Sequence, residues 1–135
     1  MVSGVVSLSA FIFTWDENKE EINIRKHNIT FSEAETVFDD ENLLYGMDVK
    51  HSVSEERFFV IGISRRTRLL TVCHCMLTDG ITIRIISARK ANKTEIQRYK
   101  RSYKQLTKTY RNLLKYIAIL CIIFSGGDPT ESIKT

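Results

Sequence analysis

LLTVCHCMLTDGITIRIISARKANKTEIQRYK, residues 69–100, holds two apolar strands, the turn between them and the start of a helix. Leu69–Leu77 and Ile81–Ala88 are short, apolar and rich in β-branched residues, which suits a pleated, half-buried surface. Thr78-Asp79-Gly80 between them is a hairpin signal, because Asp and Gly accept the backbone angles of a tight turn. Upstream, Arg57–Ser64 reads as another strand, with Phe58 and Val60 on one face and Phe59, Ile61 and Ile63 on the other. The basic turn RRTR joins it to Leu69. Connections this short predict an antiparallel meander with helices on one face. Leu43–Met47 adds a weak strand and Phe11–Trp15 a short first one. The expected fold class is therefore α+β, a small antiparallel sheet of three to five strands flanked by helices and followed by a long C-terminal helix.

Helix boundaries are marked by capping chemistry. Asp16 stands at an N-cap position ahead of ENKEEINIRKH, which has acids in its first turns and Arg25, Lys26 and His27 in its last, complementing the helix dipole. Asn28 tolerates the left-handed geometry of a helix end. Ser32 and Glu35 form a capping-box pattern for a second helix, with Ala34, Val37 and Phe38 on its buried stripe, and Asp39–Asn42 breaks it. From Ile96 through Tyr99, Tyr103, Leu106, Tyr110, Leu113, Ile117 and Leu120 to Phe124, large apolar residues recur at alternating spacings of three and four. One helix from Lys93 to Phe124 is predicted, about 48 Å long at ~1.5 Å per residue. Gly126-Gly127 is expected to end it, and Asp128–Thr135 to be a frayed tail. Residues 1–10 read as a lead-in or a start codon placed early, 11–104 as one domain, and 105–135 as an apolar extension and tail.

At 135 residues, with 43% hydrophobic and 27% charged residues, one Pro and six Gly, the chain is an ordinary globular domain. Its net charge of +4 conceals a split. Residues 1–56 carry twelve acids and four bases, whereas Ile81–Lys115 carries eleven Lys/Arg and one acid, Glu95. A basic half interleaved with Tyr suits a polyanion such as RNA or DNA; the plainer alternative is a solvated helix face. Three Cys form no even disulfide framework and fit a reducing cytoplasm. Cys73 and Cys75 share one strand face and His74 the other, a poor arrangement for a metal site, so no metal or cofactor is expected. The N-terminal MVSGVVSLSAFIF lacks the basic start of a signal peptide. Tyr116–Phe124, YIAILCIIF, is apolar all round but short of the ~20 residues of a membrane span. Self-association, a partner helix or a membrane-surface contact through residues 113–124 are the candidate uses for it.

Three blocks in order, FTWDENKEEINIRKHNITFSEAETVFDD (13–40), HSVSEERFFVIGIS (51–64) and RLLTVCHCMLTDGITIRIISARKANKTEIQRYK (68–100), resemble the BrnT family of bacterial toxins. The resemblance implies a RelE-like fold, ribonuclease activity that arrests growth, and neutralisation by a BrnA-type antitoxin with a ribbon-helix-helix domain. Operator DNA is then contacted only through the antitoxin. Two departures stand out. Asn28 occupies a position where the family usually has Gly, and residues 103–135 extend past the usual family end.

Metal-independent RNA cleavage needs a base for the ribose 2′-OH, positive charge for the phosphorane and an acid for the leaving 5′-oxygen. Arg57, Arg84 and Arg89 are the candidate charge donors, since a guanidinium fork pairs two phosphate oxygens. Arg57 and Arg84 can approach each other in a meander, or pair with Glu55 or Glu56 instead. Glu56 and His51 are candidate bases, His51 being equally a plain loop residue. His27 is a further candidate base, a phosphate contact or a structural cap. Lys26, Arg68, Lys90, Lys93 and Arg98 are expected RNA contacts. Tyr99 is an expected base-stacking contact or a core residue, and His74 is expected in the core. The alternative to an enzyme is a non-catalytic toxin-like module that binds antitoxin.

Overall fold

The structure, a computed structural model, describes residues 11–125. The expected lead-in, the Gly126-Gly127 helix end and the C-terminal tail lie outside the described residues. Five strands form one sheet: β1 (Ile12–Trp15), β2 (Leu44–Met47), β3 (Phe58–Ile63), β4 (Leu69–Met76) and β5 (Thr82–Lys90). Three α-helices accompany them: α1 (Glu17–His27), α2 (Phe31–Thr36) and α3 (Lys93–Ser125). Short 3-10 turns follow at Val37–Asp39 and Val49–His51. The strand order is β1-β5-β4-β3-β2. The meander β2–β5 is antiparallel, as its short connections require, but β1 pairs parallel with β5, Ile12 opposite Thr82 and Trp15 opposite Ile85. A parallel partner needs a long crossover. Here the crossover is everything from α1 to β4, so the mixed sheet reflects chain closure rather than any signal local to β1.

Local capping chemistry sets the helices. Asp16 accepts the Lys19 amide at 3.1 Å, and Asn28 takes φ 55° at the end of α1. The second helix starts at Phe31 with Thr30 as its cap, not at the Ser32 position expected from its S-x-x-E pattern. Thr30-x-x-Glu33 fits the same pattern, and the Glu20 carboxylate accepts the Phe31 amide at 2.7 Å, which holds the chain in the earlier register. At the β4–β5 turn, Gly80 has φ 73° and Asp79 accepts the Ile81 and Thr82 amides.

The α1–α2 layer covers one face of the sheet. Ile29, Phe31, Ala34 and Val37 pack on Val60, Leu70, Val72, Ile83, Ile85 and Ala88. A bulge in β5 makes this possible. The register steps from Cys73↔Ser87 to His74↔Ile85, leaving Ile86 without an opposite residue. Strict alternation would have put Ile83 and Ile85 on the side of Ser87 and Arg89. The extra residue instead turns both isoleucines and Ala88 into the core and sends Arg84 and Arg89 to the same opposite face.

Asn23 pins this layer. It is 4% exposed, donates to the Ile29 and Ala88 carbonyls at 2.9 Å, and accepts the Ala88 amide at 3.0 Å. Glu33, also buried, accepts from Arg68 Nε and Ser64 Oγ at 2.8 Å. The Arg68 guanidinium holds the Glu33 carboxyl below the usual carboxylate range against the opposing effect of burial.

His74 lies in the core as expected, edge-on to Phe38, but its Nδ1 has no partner among the described residues. Burial pushes its pKa from 6.5 down to about 4. An unfolded chain takes up this proton near its ordinary value, so between pH 6.5 and 4 the unfolded state binds more protons and stability falls as the pH drops. The expected loss across that window is about 3 kcal/mol. Urea midpoints at pH 7 and 4 measure it, and a His74→Leu variant should lose this part of the pH dependence.

The chain forms two units that divide between Tyr99 and Lys100. α3 crosses the division. Its first turns belong to the first unit, where Tyr99 is buried and donates from its hydroxyl to Asp40 at 2.6 Å. Asp40 also accepts the Ile63 amide at 2.8 Å. In the second unit the helix is exposed along its length, including Tyr103, Leu106, Leu113 and Ile117. No helix among the described residues is long and apolar enough to cross a membrane.

Candidate active-site cleft

The sheet face opposite the core carries a cleft of about 500 Å³. Its floor is Phe59, Thr71, Cys73 and Ser87 from β3, β4 and β5. Its walls are Arg57, Arg89, Asp48 and His51, with Glu95 and Arg98 from the first turns of α3. Gly46 permits the floor to form, because a Cβ there would meet the Phe59 ring 2.4 Å away.

Arg89 is the best-held cation in the cleft. Its two terminal nitrogens each donate to Glu95, at 2.8 Å, a bidentate pairing that fixes the guanidinium plane. Glu95 in turn accepts the Asn92 amide and the Thr71 hydroxyl, both at 2.8 Å, while its own amide donates to Asn92 Oδ1 at 2.9 Å. This is a reciprocal capping box that starts α3. The Arg89 guanidinium, with the Asn92 amide and Thr71 hydroxyl, holds the Glu95 carboxyl down to about 2. Both partners therefore stay charged under all ordinary assay conditions.

On the opposite wall Asp48 accepts from His51 Nδ1 at 2.9 Å. A carboxylate can only accept, so Nδ1 carries a proton there, and in the neutral ring Nε2 is then the acceptor. Arg57 lines the same cleft, its Nε buried without an acceptor among the described residues. Arg98 makes no ion pair among the described residues.

The expected residues thus divide. Arg57, Arg89, His51 and Arg98 come together in this cleft. Arg84 and Glu56 line an adjoining one, with Glu55, Tyr45 and Phe58. Arg57 and Arg84 do converge, but on the Glu55 carboxylate, which takes Arg57 on one oxygen at 3.4 Å and Arg84 on the other. Arg68 is engaged by Glu33, and Tyr99 by Asp40. Lys26 and His27 end α1, Lys90 sits opposite Leu70 on the core side of β5, and Lys93 begins α3; none of these four lines either cleft. Glu95, Asp48 and Thr71 were not among the expected site residues. For Glu95 a signal existed, since it is the one acid in a strongly basic stretch and follows Asn92 by three residues.

A mixed sheet with α1 and α2 on one face and an arginine-lined cleft on the other defines a small α+β protein. The chain belongs to the BrnT family, described as the ribonuclease toxin of type II toxin–antitoxin systems, whose family model matches residues 15–95. Among solved structures, the 1.1 Å crystal structure of the Brucella abortus ribonuclease toxin BrnT is similar, with a TM-score of 0.48 and 22% identity over 62% of this chain and 99% of that one. No curated protein matches the chain.

Proposed function

We propose that the chain is an endoribonuclease toxin that cleaves RNA in the Arg57–Arg89–Arg98 cleft without a metal ion. The observation that carries this reading is the meeting of these three guanidiniums with the Asp48-held His51 in one cleft. His51 Nε2 takes the proton of the ribose 2′-OH, whose oxygen attacks the adjacent phosphorus. Arg57 and Arg89 neutralise the charge that grows on the phosphorane oxygens, and Arg98 holds a flanking phosphate. The bond to the 5′-oxygen breaks as that oxygen takes a proton from solvent water and His51 gives its own back to solvent, leaving a 2′,3′-cyclic phosphate and a 5′-hydroxyl end. Arg84 and Glu56, with the exposed Tyr45 ring stacked on Phe58, supply a neighbouring surface for the RNA strand. Family membership supports an antitoxin partner, which we take to be a BrnA-type ribbon-helix-helix protein that carries any operator binding. It also supports growth arrest as the outcome and the cytoplasm as the place of action.

The test is cleavage of a defined RNA by the full chain in EDTA, with product ends analysed by mass. Cyclic-phosphate ends are the expected result. A folded protein that leaves RNA intact yet binds antitoxin would replace this reading with that of a non-catalytic antitoxin-binding module.

A further inference from the structure

The second unit presents an apolar helix face that nothing in the chain covers among the described residues. Seven seam positions from Tyr103 to Phe124 repeat every 3.5 residues over three heptads, and all but the exposed end residue Phe124 are between 48% and 66% exposed. A monomeric protein rarely leaves so continuous an apolar strip in water.

The charges say what covers it. All five charged residues of this helix from Lys100's neighbour Arg101 onward, Arg101, Lys104, Lys108, Arg111 and Lys115, fall on the side away from the seam. Positions beside the seam carry hydroxyl or apolar groups, such as Thr107, Thr109, Leu114 and Tyr116. In paired helices, charges beside the seam select a different partner or reject an identical one. Here neither device is present between Arg101 and Ser125, so an identical helix meets no like-charge conflict. The strict 3.5-residue period is the one that winds two helices into a left-handed pair. Orientation follows from the asymmetry of the face. Tyr116–Phe124 is apolar all round, whereas the preceding turns are basic outside the seam. Only a parallel arrangement sets the apolar ends against each other; an antiparallel one would lay each of them beside a basic stretch.

We propose that the second unit is a homotypic assembly element, and that two copies of this chain pair through α3 in parallel, along the seam from Tyr103 to Phe124. The proposal stands whether or not the chain cleaves RNA.

Sedimentation equilibrium of the purified full chain tests it. The expected mass is twice the 15.6 kDa of the chain. Leu106→Glu with Leu113→Glu should weaken association about tenfold or more and shift the mass to the monomer, whereas Lys108→Glu on the outer side should not. Circular dichroism and the RNA assay on the same samples separate lost pairing from lost folding. Independently of the seam substitutions, a short-span bis-maleimide should link Cys121 to Cys121 in the wild-type chain and not in Cys121→Ser. A monomer at every concentration overturns the proposal. So does association without the Cys121 link, which would indicate antiparallel helices. Protein that floats with vesicles while staying monomeric in solution would assign the face to a membrane surface instead.

Discussion

Replacing Arg89 with Lys is expected to lower RNA cleavage about 100-fold, the order of loss seen when one donor aimed at a transition-state oxygen is removed. The substitution keeps the charge. It discards the planar fork, two of whose nitrogens are held by Glu95 while the remaining N–H edge stays directed by that same pairing. Lysine keeps the long-range attraction for RNA, so binding and its salt dependence should change little while turnover falls. Glu95→Gln provides the matching control. A Gln can still accept the Asn92 amide and keep the helix start, but it no longer fixes a guanidinium by charge, and an intermediate loss of about tenfold is expected. Single-turnover cleavage together with filter binding separates the two effects. Wild-type turnover in Arg89→Lys would remove the reaction from this cleft.

The largest expected loss of stability comes from Asn23→Ala. The amide serves two carbonyls and one N–H, in three different bonds, at a site almost closed to water. Removing it leaves three buried backbone groups without partners. Each such group costs about 1–3 kcal/mol, and partial entry of water brings the expected total to about 4 kcal/mol. That is a large part of the ~5–15 kcal/mol that a domain of this size possesses. Asn23→Asp should be no better, because a carboxylate would face the Ile29 and Ala88 carbonyls where the NH₂ now donates. Urea unfolding measures both. A loss below about 1 kcal/mol would show that the surrounding backbone finds other partners. Because Ala88 immediately precedes Arg89, either variant should also reduce cleavage before it unfolds the protein.

Elements governed by neighbours in sequence were readable in advance. Asp16 and Asn28 at the ends of α1, the Thr78-Asp79-Gly80 turn and the continuous period of α3 depend on contacts within a few residues. What could not be read depends on distant partners. The parallel pairing of β1 with β5 joins residues about seventy positions apart. The choice of Thr30 over Ser32 as a cap is settled by Glu20 across an inter-helix turn. The bulge at Ile86 had a trace in the adjacent Ile85-Ile86, which breaks the alternation of the strand, yet its effect on Arg84 and Arg89 needs the register of β4.

The candidate site shows the same division. Charge and residue type singled out Arg57, Arg89, Arg98 and His51, which the fold places along one cleft, together with Arg84 and Glu56, which it places along another. They could not reveal which arginines had already found a carboxylate. Arg68 meets Glu33 across 35 positions, and Arg84 meets Glu55 across 29. Composition counts every cation alike, whereas the fold sets Arg68 against the buried Glu33 and gives Arg84, like Arg57 and Arg89, a carboxylate at the rim of a cleft.

Glu95 belongs at once to the first turn of α3 and to the grip on Arg89, and the family match ends on it. In the proposed reaction a phosphate bound on the outer edge of Arg89 shares that guanidinium with Glu95, and through Glu95 with the helix start. On that reading RNA binding and the fraying of that first turn are expected to be linked equilibria, each changing the other by the same factor. Amide exchange at Lys93–Ile96 is therefore expected to report occupancy of the cleft, without any cleavage taking place.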